Sequence, residues 1–180
     1  LFASAIERVL DAVEAATTER TPAAGATWFD VTTVAAFLAA REAGADWLVA
    51  ECGLGGRLDS TNVLAPELCA ITSIELEHTE VLGDTRAKIA REKAGILKPG
   101  VAFVCGVPAD DEAGRAIDER AAELGIEVLR PAWLARGPDS TGGSGGPGGP
   151  GAARPPIEAR NVALAGLALD GLGARQARRC

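Results

Sequence analysis

Methionine is missing from all 180 residues, position 1 included, and histidine occurs once. A translated chain opens with Met, so the sequence is expected to be a fragment or a processed piece. No run of about 18 apolar residues is present, which excludes a membrane-spanning helix. The first twenty residues place acids among their apolar positions and have no basic lead, so they do not form a signal peptide. A basic surplus is lacking too. Lys plus Arg number 18 against 25 Asp plus Glu, a net charge of −7, which argues against nucleic-acid backbones and anionic membranes as partners. The four cysteines (Cys52, Cys69, Cys105, Cys180) form no C-x-x-C pair, and the first three lie in or beside apolar runs. Buried, reduced thiols in a cytoplasmic protein are expected.

What remains is a chain with 47% apolar residues, enough for a sizeable core. Ile6, Val9, Leu10 and Val13 recur at a helical period over residues 1–19. A Pro/Gly/Ala break follows, then a second helix over Asp30–Ala43, with Thr27 or Asp30 as its cap. Trp47–Ala50, Leu68–Ile74 and Val101–Val107 are short continuous apolar runs, the pattern of strands buried on both faces. Between them Asp84–Leu97 is helical, capped by Asp84 and stopped by Pro99-Gly100. Ala109–Leu124 is a further helix, and Glu127–Leu129 opens a short strand.

Alternation of strand and helix predicts an α/β fold with a mostly parallel sheet and flanking helices. Residues 136–156 (GPDSTGGSGGPGGPGAARPP and its flank) are a Gly/Pro-rich low-complexity stretch, read as a disordered linker or insert. It divides residues 1–135 from residues 157–180, which open with an amphipathic helix over Glu158–Leu172 and end in a basic tail.

In such sheets ligands bind beyond the carboxyl ends of the strands, and two unusual segments sit there. Glu51 runs directly into Cys52-Gly53-Leu54-Gly55-Gly56-Arg57-Leu58-Asp59-Ser60-Thr61-Asn62. The dinucleotide fingerprint G-x-G-x-x-G fails because position 58 is Leu58, and G-x-x-x-x-G-K-[ST] occurs nowhere. Taken alone, the glycines suit an ordinary tight turn. The second segment, Glu75-Leu76-Glu77-His78-Thr79, brings the single histidine beside carboxylates, a donor set suited to a hard cation with mixed oxygen and nitrogen ligands. Lys93, in Ile89-Ala90-Arg91-Glu92-Lys93-Ala94-Gly95-Ile96, is by itself an ordinary surface lysine.

Together, GLGGRLDSTNV, the strand-final EH and IAREKAGILKPG closely resemble the folylpolyglutamate synthase/dihydrofolate synthase family of the Mur ligase superfamily. Thr27–Thr33 resembles that family's T-x-F-E-x-L-T segment, and Val81–Thr85 matches its L-G-D-T. The likeness is strong over residues 27–108 and weak over 1–26 and 157–172. It implies a Mur ligase-like central ATPase domain, here incomplete. It implies an ATP-dependent amide ligase that joins L-glutamate to folate or dihydropteroate through an acyl phosphate, with Mg²⁺ and a full-length monomer.

Residue by residue, the resemblance makes Glu51 and His78 metal ligands, with His78 also catalytic. Lys93 matches a lysine that takes up CO₂ as a carbamate, which requires a neutral amine and hence desolvation or nearby cations. Asp59, Thr61 and Asn62 belong to a substrate-side loop, and Asn161 is the survivor of a His-Gln-x-x-Asn segment that touches ATP. The family's G-L-D-H reads Glu75-Leu76-Glu77-His78 here. Its ATP-cradling glycine-rich loop and C-terminal domain have no counterpart, so these 180 residues are expected neither to bind ATP nor to turn over alone. Two other readings stand beside the ligase: a non-catalytic remnant, and a Mur-type ligase for another carboxylate substrate, which the GLGGRLDSTN loop disfavours.

Overall fold

The computed structural model describes residues 1–132, 134 and 163–170. These divide into two compact units, Leu1–Leu54 with Leu58–Leu64, and Gly55–Arg57 with the chain from Ala65 onward.

The first unit is built from helices. Helix α1 (Phe2–Glu19) packs on α2 (Trp28–Glu42), and short 3₁₀ turns occupy Pro22–Gly25 and Ser60–Val63. The buried stripe of α1 runs through Ala5, Val9 and Ala16, with Val13 partly buried. It meets Val31 and Ala35 of α2. Leu10, expected on this face, is exposed instead. Ala5, Val9, Val13 and Ala16 follow the i, i+4, i+8, i+11 spacing of one helical stripe, and Leu10 stands beside it. Both proposed caps of α2 act at once: the Thr27 hydroxyl accepts from the Asp30 amide at 3.2 Å, and the Asp30 carboxylate accepts from the Thr27 amide at 2.7 Å. This reciprocal pair satisfies two amides that the first helical turn leaves unpaired.

The second unit holds the sheet. Strands β1 (Leu68–Ile71), β2 (Ala102–Cys105) and β3 (Val128–Leu129) run parallel in the order β1-β2-β3, Cys69 opposite Phe103 and Phe103 opposite Val128. Between β1 and β2 lie the one-turn helix α3 (Thr79–Leu82), α4 (Arg86–Lys93) and a 3₁₀ turn over Ala94–Ile96. Helix α5 (Glu112–Glu123) connects β2 to β3. Residues 163–170 are helical, and Leu164 among them is buried. Helices α4 and α5 bury Ile89, Ala90, Ala113, Ala116, Ile117 and Ala121 in one core with Ile71, Ile74, Phe103 and Cys105.

The α/β architecture with a parallel sheet therefore stands, and several boundaries move. Trp47–Ala50 is not a buried strand: the run has no regular structure, Trp47 is 59% exposed and Val49 96% exposed. Every regular element of its unit is helical, so no strand of that unit completes its backbone hydrogen bonds, and an apolar run without a ladder is not a strand. The α4 cap is Thr85, whose hydroxyl accepts from the Lys88 amide at 3.3 Å. Asp84 instead pairs with the Lys88 ammonium at 2.7 Å. Helix α5 starts three residues later than expected because Asp111 caps it, accepting from the Ala113 amide at 2.8 Å. Cys52, Cys69 and Cys105 are joined in no disulfide, and burial pushes Cys105 up from the ordinary thiol range. No described helix is long and apolar enough to cross a membrane. The Gly/Pro-rich stretch 136–156, Cys180, and residues 158–162 and 171–172 of the helix expected over Glu158–Leu172 lie outside the described residues.

These burial patterns separate two similar substitutions. Val49→Ala removes methyl groups already in water and should change the unfolding free energy by less than about 0.5 kcal/mol. Ile117→Ala empties a fully buried site and should cost about 2–5 kcal/mol. Denaturant midpoints with unchanged slopes check both. A large loss at Val49 would restore the buried strand.

Candidate functional site

Asp59 organises the loop that follows Glu51. Its carboxylate is buried and fully engaged by its own chain. One oxygen accepts from the Gly53 and Leu54 amides at 2.9 and 3.0 Å; the other accepts from the Thr61 amide and hydroxyl at 2.9 and 2.6 Å. Burial pushes this carboxyl up, but the hydrogen bonds from Thr61, Leu54 and Gly53 outweigh it and hold the group below the usual range. A carboxylate accepting several backbone N–H bonds is stabilised in its charged form. The Thr61 hydroxyl also lies 3.4 Å from the Cys52 thiol, and Ser60 donates to Asp30, tying the loop to the start of α2. Asp59 thus shapes the loop, whereas Glu51 is exposed to solvent and Thr61 and Asn62 are half-buried.

The next three residues of the loop belong to the second unit, where they dock on the carboxyl end of α4. The Arg57 amide donates to the Glu92 carbonyl at 2.9 Å, and its guanidinium Nε reaches both Glu92 carboxylate oxygens at 3.1 and 3.2 Å. Gly56 is buried so closely that a Cβ there would lie 2.8 Å from the Lys93 carbonyl oxygen. A Cβ on Gly95 would lie 2.3 Å from that of Arg57. Two glycines, one in each motif, let two backbones pass at a distance that no side chain permits. This explains physically why G-G-R and E-K-A-G-I occur together. Sequence reasoning treated the loop glycines as turn formers, gave Gly95 no role of its own and missed their mutual packing; the pairing of small residues across two distant motifs was its only trace.

His78 follows the exit of β1. It is exposed, and its backbone sits in the left-handed region at φ 48°, uncommon for a non-glycine residue although histidine is enriched there. Its carbonyl accepts from the Val81 and Leu82 amides, both at 2.9 Å. Immediately before it, the Glu77 carboxylate receives the Lys93 ammonium at 2.7 Å, and this hydrogen bond, reinforced by the charge, holds Glu77 below the usual carboxylate range. The structure therefore brings Lys93 to the segment carrying His78. Among the described residues no group of three or more His, Cys, Asp or Glu is gathered tightly enough to hold a metal by itself. Glu51 and His78 lie in different units, and Asn161 lies outside the described residues.

No family model matches the chain. Among curated proteins it is 50% identical over 90 residues to a folylpolyglutamate synthase of Arabidopsis thaliana, covering 48% of this chain and 15% of that protein. Among solved structures it resembles an FPGS–AMPPCP–folate complex with TM-score 0.64 and 34% identity, covering 71% of this chain and 31% of that one. It also resembles a bifunctional folylpolyglutamate synthase/dihydrofolate synthase with Mn, AMPPNP and L-glutamate bound. There the TM-score is 0.53 and the identity 43%, with 58% of this chain and 25% of that one covered. The chain thus spans between about a seventh and a third of the proteins it matches.

Asp59 yields a pH signature. Its carboxyl is depressed in the folded chain, so its contribution is present above the unfolded value of about 3.9 and is lost as pH falls through the lower folded value. Asp59→Asn should cost about 1–3 kcal/mol at neutral pH, because an amide cannot accept from all four donors. The variant should also lose stability less steeply than the parent below about pH 4. Unfolding curves from pH 7 to pH 2.5 check this, and parallel curves would count against it.

Proposed function

The chain belongs to the folylpolyglutamate synthase/dihydrofolate synthase family, and from that membership we propose that its residues serve an ATP-dependent amide ligase. The reaction joins the amine of L-glutamate to a carboxylate of folate or dihydropteroate, activated as an acyl phosphate. The observation that carries this reading is the Lys93–Glu77 ion pair at 2.7 Å. It joins the lysine of one family motif to the residue preceding the histidine of another. The matched structures, described with AMPPCP and folate and with Mn, AMPPNP and L-glutamate, support these reactants.

The donor chemistry fits a divalent cation. Mg²⁺ keeps several waters and takes only one or two protein ligands beside substrate phosphates. The exposed carboxylate of Glu51 and the exposed imidazole of His78 are each donors of the kind such a cation takes. When bound, the metal neutralises repulsion between a carboxylate and a triphosphate. Asp59 holds the loop carrying Thr61 and Asn62 in one conformation, so those side chains are presented to substrate without ordering at the moment of binding. As an ammonium, Lys93 is committed to Glu77. To become a carbamate it must first release both its proton and that partner, since two anions at this separation repel. Glu77, longer by one methylene than the family's aspartate, therefore sits where it governs Lys93.

The test grafts residues 27–108 in place of the matching segment of the Arabidopsis folylpolyglutamate synthase and measures ATP-dependent incorporation of L-glutamate into a folate acceptor. The graft should be active. Glu51→Gln in it should lower turnover by at least about two orders of magnitude, the scale lost with one preorganised charged group. Lys93→Ala should be inactive and partly rescued by a small carboxylate in the buffer. Undiminished turnover in both variants would overturn the assignment.

A further inference from the structure

Helix α4 presents Arg86, Ile89, Ala90 and Lys93 at the i, i+3, i+4, i+7 spacing of one face. Ile89 and Ala90 are fully buried in the core, and the two cations at the ends of this stripe both reach the chain leaving β1. Lys93 takes Glu77. Arg86 donates through Nε to the Ile74 carbonyl at 3.0 Å and through Nη1 to the Asp111 carboxylate at 2.6 Å. Asp111 is also the cap of α5, so one guanidinium ties the strand exit to the next helix start. Ile74 lies three residues beyond the last residue of β1 and is 1% exposed. Beyond it Glu75, Leu76, Glu77 and His78 are all exposed and belong to no strand. The path of these four residues is thus set by Arg86 at its origin, by Lys93 near its end and by the left-handed turn at His78.

The second strand exit carries the same device. Arg130 donates to the Val107 carbonyl at 2.7 Å and to Asp118 of α5 at 2.7 Å. Both arginines satisfy a carbonyl beyond the strand and a carboxylate that caps α5 or lies on it, and a guanidinium is suited to this because its donors point in a fixed fork. Only the Arg86 clamp leads into a histidine.

We propose that Arg86 is a positioning residue: by clamping the Ile74 carbonyl to Asp111 it aims the segment 75–78 and so places the His78 imidazole. The proposal rests on the reading of His78 as a functional ligand, but its test needs neither ATP, metal nor turnover. His78 is the only histidine of the chain, so its ring Hε1 proton gives a single NMR signal in the 180-residue protein. Arg86→Met should move or broaden that signal by more than its linewidth. Asp111→Asn should act in the same direction more weakly, since asparagine caps a helix about as well as aspartate but leaves the guanidinium without a charged partner. Arg130→Met removes the equivalent clamp on Val107 and should leave the signal in place. A signal unmoved in both Arg86→Met and Asp111→Asn, or moved equally by Arg130→Met, would overturn the proposal. Should Arg86→Met fail to fold, Asp111→Asn and Arg130→Met decide it. Failure of the ligase reading would appear as an inactive graft with the NMR pattern intact.

Discussion

The second unit depends on the close approach of two backbones at Gly56 and Gly95. Their neighbours convert that approach into specific bonds: the Arg57 amide on the Glu92 carbonyl, and the guanidinium across the Glu92 carboxylate. Because the carboxyl end of α4 is held this way, its inner face is held too. Lys93, the last residue of that helix, can then meet Glu77 with a fixed geometry rather than as a solvated side chain. The surface-exposed Arg57–Glu92 pair contributes little through its charges alone, in line with exposed ion pairs in general. The contribution lies in the packing that only two glycines allow.

The two carboxylates of the glycine-rich loop and the strand exit illustrate opposite uses of the same chemistry. Asp59 turns inward, collects four donors from its own loop and is left 9% exposed. Its charge stabilises shape. Glu77 keeps nearly half of its side chain in water and spends its charge on a single lysine. A buried acceptor saturated by amides cannot easily be exchanged, whereas an exposed pair can open and re-form with another partner. The loop is therefore the rigid component and the lysine the adjustable one.

Much of this was legible in the sequence. The α/β alternation, the parallel sheet, the helix over Asp30–Ala43 with both of its candidate caps, and the clustering of unusual residues after Ile74 follow from periodicity and turn chemistry. The motif likeness led to the same folylpolyglutamate and dihydrofolate synthases that the chain is similar to. Three features were not legible. Trp47–Ala50 has the composition of a buried strand, and composition cannot reveal whether a partner strand lies beside it. Asp59 carries the same symbol whether it faces a substrate or its own backbone, and only the loop's closure decides. The arginine clamps at Ile74 and Val107 join residues 12 and 23 positions apart through backbone carbonyls, which leave no mark in side-chain patterns.

The central claim is that residues 55–57 are built into the second unit by the α4 terminus rather than resting there as a loop. Native-state hydrogen exchange at the Arg57 amide tests it most directly. Amides that open only with the whole core exchange with the global free energy, whereas loop amides exchange through local fluctuations. The Gly106 amide, which donates to the Ile71 carbonyl at 2.8 Å at the end of the β1–β2 ladder, provides the internal standard. The account predicts that Arg57 and Gly106 are protected to a similar extent. Exchange of Arg57 at the rate of an exposed loop amide, with Gly106 still protected, would contradict it.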